Sequence, residues 1–194
     1  MSITEKAKKI RFLIADVDGV MTDGKINFFI NNEGKNDEIK SYSAVDGIGF
    51  YLLHDAGIRT ALISGRAHHT TVARAKMLGI NYVYQGFLDK LGPFNEILAK
   101  ENIQPEEIAF IGDDIIDLPL LTKVGLAVCP ADATAEAKEA CRHILKSNGG
   151  NGCVRETAEL ILKAQGKWDN FLAAIKEGRW QRKPKAETMV VDKK

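Results

Sequence analysis

From residue 11 to residue 128, short apolar runs rich in β-branched residues alternate with longer stretches whose apolar residues recur at helical spacing. Residues 11–15, 58–63, 82–84, 108–111 and 126–128 read as strands. The spacing predicts helices over 46–56, 69–78, 90–101 and 115–123. Gly57 and Gly79 stop the first two, and Pro119 weakens the last. Strand–helix alternation is solved by a parallel sheet with right-handed crossovers and helices on both faces. The expected fold is therefore α/β, a Rossmann-like parallel sheet. One segment departs from the pattern. Residues 26–30 and 38–42 flank the polar stretch NNEGKND, which predicts a small β-hairpin flap, and no cap-sized insertion is visible.

The 194 residues suit one domain with a short appendage. Lys and Arg total 27 against 26 for Asp and Glu, so no global field exists to hold nucleic acid or an anionic membrane. No apolar run approaches the ~20 residues that span a bilayer, and the basic amino terminus lacks the long apolar region of a secretory signal. Cys129, Cys141 and Cys153 form no C-x-x-C and read as reduced thiols of a cytoplasmic protein. Past Gly166, Trp168, Phe171, Leu172 and Ile175 mark a short amphipathic helix, followed by a basic aperiodic segment read as a flexible tail. The expected division is a catalytic domain over 1–166 and a helix with tail over 167–194.

Ligands of such sheets bind outside the carboxyl ends of the strands. The polar residues there are Asp16 and Asp18 of DVDGV, Ser64 of ISGR, and Asp113, Asp114 and Asp117 of IGDDIID; Lys90 stands at a helix start. Carboxylates gathered at one sheet edge repel one another, and Mg²⁺ relieves this with one or two carboxylates and several waters. A lysine and a hydroxyl beside them suit a phosphate. With D-x-D spacing the first carboxylate can attack phosphorus, forming an aspartyl-phosphate. The second can protonate the leaving alkoxide and then take a proton from water. His68–His69 reads as an exposed helix start rather than a metal site, since adjacent side chains of a helix diverge. Cys153 has no assignable base and reads as packing.

The segments DVDGVMTDG, DGIG, ISGR, YQGFLDKL, IGDDIIDLPLL and SNGGNGCVRE, in this order, resemble the 3-deoxy-D-manno-octulosonate 8-phosphate (KDO 8-phosphate) phosphatase family of the haloacid dehalogenase superfamily. The match covers about residues 10–166. The resemblance implies a capless fold with Asp16 as nucleophile and metal ligand, and Asp18 as general acid/base ligating through its carbonyl. Asp113 is then the remaining ligand of a Mg²⁺ cofactor. It implies phosphate binding by Ser64 and Lys90, with Asp114 and Asp117 orienting the metal and Lys90. Substrate contacts would come from Asp18, Asp46, Gly47, Arg66, Arg74 and Lys90. The implied partner is a phosphorylated sugar acid of lipopolysaccharide precursor synthesis, in the cytoplasm. The implied assembly is a homotetramer whose neighbouring hairpin or tail covers the site, with Gly149–Gly150 and Arg155 suited to it.

Two positions depart from the family pattern. Val45 stands where a basic residue usually precedes the Asp-Gly, and Tyr51 where an arginine often follows the G-x-G. A nine-carbon acid, an N-acylneuraminate or KDN 9-phosphate, is therefore the alternative substrate. The non-enzyme alternatives are an inactive oligomerisation module and a phosphorelay receiver. Intact Asp16, Asp18, Lys90 and Asp113 oppose the first. The order of the acidic residues, with a carboxyl two residues after the acceptor, opposes the second.

Overall fold

The computed structural model describes residues 1–182 and 186–193. The chain opens with α1 (Ile3–Lys8) and β1 (Phe12–Ala15), then a hairpin of β2 (Asn27–Ile30) and β3 (Asn36–Ile39). There follow in alternation α2 (Ala44–Asp55), β4 (Arg59–Ser64), α3 (His69–Leu78), β5 (Tyr82–Gln85), α4 (Leu91–Glu101) and β6 (Ile108–Ile111). After a 3₁₀ turn at Ile115–Asp117 come α5 (Leu118–Leu121), β7 (Leu126–Cys129), α6 (Ala135–Ala140), β8 (His143–Ile144), α7 (Cys153–Ala164), α8 (Trp168–Lys176) and β9 (Met189–Asp192).

Seven strands form one sheet in the order β8-β7-β6-β1-β4-β5-β9, with every pair parallel. β1 is apolar throughout because both its faces are covered. Leu13 and Ala15 enter the core beneath α1, α2 and α7, while Phe12 and Ile14 enter the core beneath α4, α5 and α6. The hairpin stands apart as its own two-stranded sheet, with Phe28, Ile30 and Ile39 exposed. Pro119 does curtail the expected helix over 115–123, which is a 3₁₀ turn joined to the four residues of α5.

The carboxyl-terminal segment differs from the sequence reading. The Trp168 helix forms and packs on this chain, with Phe171 and Leu172 against the core, and Trp180 Nε1 donates to Asp55 Oδ2 at 2.7 Å. The flexible-tail reading is corrected over Met189–Asp192, which forms strand β9 beside β5, Val190 opposite Val83 and Val191 opposite Tyr84. The edge of β5 supplies the partners for these backbone groups, and Val190 and Val191 extend the two cores. The basic stretch at 183–185 and residue 194 lie outside the described residues. Among the described residues, no helix is long and apolar enough to cross a membrane.

Candidate active site

β1 lies between β4 and β6, so the polar residues that follow these three strands meet at one edge, where the strand order reverses. Asp16 leaves β1 with its N–H donated to Ile111 O at 2.9 Å. Lys90, wholly buried ahead of α4, donates to Asp16 Oδ1 at 2.7 Å and to Asp117 Oδ1 at 2.5 Å. The other oxygen of Asp117 accepts from the N–H of Asp113 at 2.8 Å and of Asp114 at 3.3 Å. Asp117 thus fixes both the lysine and the loop that carries Asp113. Asp16, Asp113 and Asp117 each offer a carboxylate oxygen within 4.8 Å of the others.

Burial raises the Asp16 carboxyl above its usual range; Lys90 counters this and Asp117 adds to it. Burial also raises Asp113, and Asp16 and Asp117 push it further. Lys90 is held above its ordinary value because the two carboxylates outweigh the opposite effect of its burial. One lysine cannot neutralise three carboxylates, and Asp113 Oδ1 is buried with no hydrogen-bond partner. Gly19, at φ 92°, lets the backbone pass over Asp113; a Cβ there would lie 2.1 Å from Asp113 Oδ2. An all-oxygen donor set with an orphaned buried oxygen and excess negative charge fits a hard divalent cation.

Ser64 is buried at the end of β4, its Oγ accepting from Arg66 N at 3.1 Å. The Asp18 side chain pairs with Lys40, which also lies 3.4 Å from Glu38 Oε1. Glu38 Oε2 in turn accepts from Arg66 Nη2 at 2.5 Å. The hairpin therefore reaches the site through Glu38 and Lys40, which the sequence reading passed over. Their signal was an acid and a base two residues apart, which strand geometry puts on one face.

Other expected residues are tied to partners within the chain. Asp46 is buried; its Oδ2 accepts from Gly152 N at 3.1 Å and its Oδ1 from Arg155 N at 2.9 Å. Gly152 is the N-cap of α7 and has no side chain to cap with, so Asp46 of α2 supplies the missing acceptor. Burial raises the Asp46 carboxyl despite these bonds. Gly47 faces Arg74, whose Nη2 donates to Ser43 O at 3.0 Å in the seam between α2 and α3. Asp114 is exposed and accepts from Ile115 N at 2.7 Å at the 3₁₀ turn. Gly149 packs within this chain, where a Cβ would lie 1.9 Å from Gly19 O, and Gly150 N donates to Val20 O at 2.8 Å. Arg155 pairs with Glu159 at 3.0 Å.

The Asp46 geometry has a direct test. Asp46→Ala leaves two backbone N–H groups without their acceptor and is expected to destabilise the protein by roughly 2–4 kcal/mol. Denaturant unfolding measures this, with the KM of a phosphate ester staying within about threefold of the parent. A raised KM with unchanged stability would instead make Asp46 a substrate contact.

Comparison with known proteins follows the same lines. A family model described as haloacid dehalogenase-like hydrolase matches residues 78–156. The 3-deoxy-D-manno-octulosonate 8-phosphate phosphatase KdsC of Yersinia pestis is 43% identical over 165 residues, covering 85% of this chain and 86% of the relative. The structure of the phosphatase of that name from Moraxella catarrhalis, in complex with magnesium ion, phosphate ion and KDO, superposes with a TM-score of 0.84. It is 38% identical, over 89% of this chain and 97% of that one. The cobalt-bound deoxy-D-mannose-octulosonate 8-phosphate phosphatase from Haemophilus influenzae gives a TM-score of 0.79 at 37% identity, over 86% of this chain and 99% of that one.

Proposed function

This chain belongs to the KDO 8-phosphate phosphatase family of haloacid dehalogenase-like hydrolases, and from that premise we propose that it hydrolyses KDO 8-phosphate to KDO and inorganic phosphate by way of Asp16. The observation that carries this reading is the set Asp16–Lys90–Asp117 beside the orphaned Asp113 oxygen. We assign the chemistry to residues 1–166. A Mg²⁺ held by the Asp16 and Asp113 carboxylates and the Asp18 carbonyl would offset charge on the phosphoryl oxygens. The magnesium in the Moraxella enzyme and the cobalt in the Haemophilus enzyme support that assignment.

The chain's own groups account for the remaining steps. Lys90, pinned between two carboxylates, sets the direction of the Asp16 oxygen and presents a charge to the phosphoryl group. Asp16 attacks phosphorus as the ester oxygen leaves, and Asp18 protonates that oxygen. Asp18 then takes a proton from the water that cleaves the acyl phosphate. Ser64 Oγ, at the end of β4, offers a hydrogen bond to a phosphoryl oxygen. Arg66, held by Glu38, is the cation assigned to the substrate carboxylate. Lys40 ties the hairpin to Asp18 and couples flap position to the acid/base.

With no cap domain among the described residues, the exposed apolar side chains of the hairpin, Phe28 and Ile30 on one side and Ile39 on the other, support a homotetramer in which a neighbour completes the cover. The setting that follows from the substrate is lipopolysaccharide precursor synthesis in the cytoplasm. The test is phosphate release with Mg²⁺ from KDO 8-phosphate, N-acetylneuraminate 9-phosphate and KDN 9-phosphate side by side. The expected result is at least a tenfold higher kcat/KM for the eight-carbon acid. Preference for a nine-carbon acid would overturn the substrate assignment and make Val45 and Tyr51 specificity positions.

A further inference from the structure

Among the described residues, one group outside the acidic cluster has the donor set of a metal site: Asp37 of β3 with His68 and His69, each offering a ligand atom within 4.8 Å of the others. Helical geometry would turn adjacent histidines apart, yet their ring centroids are 4.4 Å from each other. The cause is local. His68 is extended, with φ −151° and ψ 136°, and α3 begins only at His69, so one ring folds back across the other. His68 Nδ1 lies 2.8 Å from Thr70 Oγ1, which leaves Nε2 facing Asp37 Oδ1 at 3.8 Å.

We propose that Asp37, His68 and His69 form a second metal site, for a borderline divalent ion such as Zn²⁺, Co²⁺ or Ni²⁺, which clips the hairpin to the start of α3. Such an ion binds nitrogen and oxygen at about 2.0–2.2 Å, so its ligands sit roughly 3–4 Å apart, close to the spacing already present. Two imidazoles select it over the hard cation suited to the all-oxygen cluster. His68 Nδ1 accepts from Thr70 N at 3.4 Å as the cap of α3; ligation through Nε2 would exchange that long bond for donation from Nδ1–H to the Thr70 hydroxyl.

The surroundings are consistent in charge and space. The positive amino end of α3, Lys40 and Lys76 oppose a cation there; the carboxylates of Asp37 and Asp192 offset them, while Glu38 holds Lys40 and Arg66. Asp192 lines the same open groove as the two histidines and is held by Gln85 Nε2 at 2.7 Å. The Gln85 Oε1 accepts from His68 N at 3.0 Å, so β9 and the histidine loop share one anchor. Asp37 immediately precedes Glu38, the partner of Arg66. A bound ion would therefore restrain the flap over the active site.

The test is Zn²⁺ titration of the full-length protein by calorimetry, with millimolar Mg²⁺ present to occupy the acidic cluster. The expected result is one Zn²⁺ per chain, weakened about 10-fold or more in His69→Ala and in Asp37→Asn and unaltered in Asp113→Asn. His69 is exposed and Asp37 only half-buried, so thermal melts of the two variants should match the parent. Co²⁺ should show the visible bands of imidazole ligation, and hydrogen exchange of β2–β3 should slow on adding Zn²⁺. Equal Zn²⁺ affinity in parent, His69→Ala and Asp37→Asn overturns the site, as does binding that vanishes in Asp113→Asn. Because the readout is metal binding, failure of the phosphatase assignment would leave this result independent.

Discussion

Asp16→Asn should lower phosphate release by about 10⁴-fold or more, while the metal-free protein stays as stable as the parent. The size follows from the role. An amide oxygen cannot form the acyl phosphate, so only the binding and electrostatic parts of catalysis survive, as when a nucleophile is removed from other covalent enzymes. The stability follows from the surroundings. Burial already raises the Asp16 carboxyl, and its charge repels Asp113 and Asp117. Lys90 keeps Asp117 at 2.5 Å and can still donate to an amide oxygen at position 16, so no buried ammonium is abandoned. Steady-state phosphate release and a thermal melt in chelator test the two halves. Activity within tenfold of the parent would remove Asp16 as nucleophile. Asp18→Asn supplies the complementary observation, since slowed hydrolysis should let a phosphoryl group accumulate on Asp16, visible as a mass increase of the intact chain.

The acidic edge was legible because its residues sit at positions that the alternation itself marks. Asp16, Ser64 and Asp113 each close a short buried run, and the fold brings those runs together as β1, β4 and β6. Contacts made across long stretches of chain were not legible. Asp46 opens a helix in a motif suggestive of substrate binding, and only the arrival of Gly152 and Arg155 beneath it reveals a helix cap. Lys40 and Glu38 looked like ordinary strand polarity until the hairpin folded back on Asp18 and Arg66. β9 is four residues with no period of its own, ordered by the free edge of β5. His68 defeated a helical-face argument because it precedes the helix instead of belonging to it.

Metal removal should reverse the order of stability between the parent and Asp113→Asn. In the metal-free parent the Asp113 carboxyl rises to about 8, through burial first and then through Asp16 and Asp117, and Asp16 rises to about 6. A carboxyl raised in the folded state binds its proton more tightly there than in the unfolded chain. Its contribution to stability is therefore full below the unfolded value near 4 and is lost as pH climbs through the folded value. The metal-free parent should thus weaken between pH 4 and pH 8, and Asp113→Asn, with no charge to bury, should weaken less. At pH 8 in chelator the variant should melt above the parent. Mg²⁺ changes the comparison, because an ion that binds only the folded parent at 100 times its Kd adds about 2.7 kcal/mol. For a chain of this size that is a rise of roughly 5–10 °C in Tm. The variant, lacking one of two carboxylate ligands, should rise by little and release phosphate at least about 100-fold more slowly. Thermal melts at pH 5 and pH 8, in chelator and in Mg²⁺, separate the outcomes. A parent indifferent to Mg²⁺, with Asp113→Asn the less stable protein in chelator, would mean that the carboxyl cluster is structural. The opposite result would mean that this edge of the sheet gives up stability in the empty protein for a charge arrangement that only a bound cation and a phosphate complete.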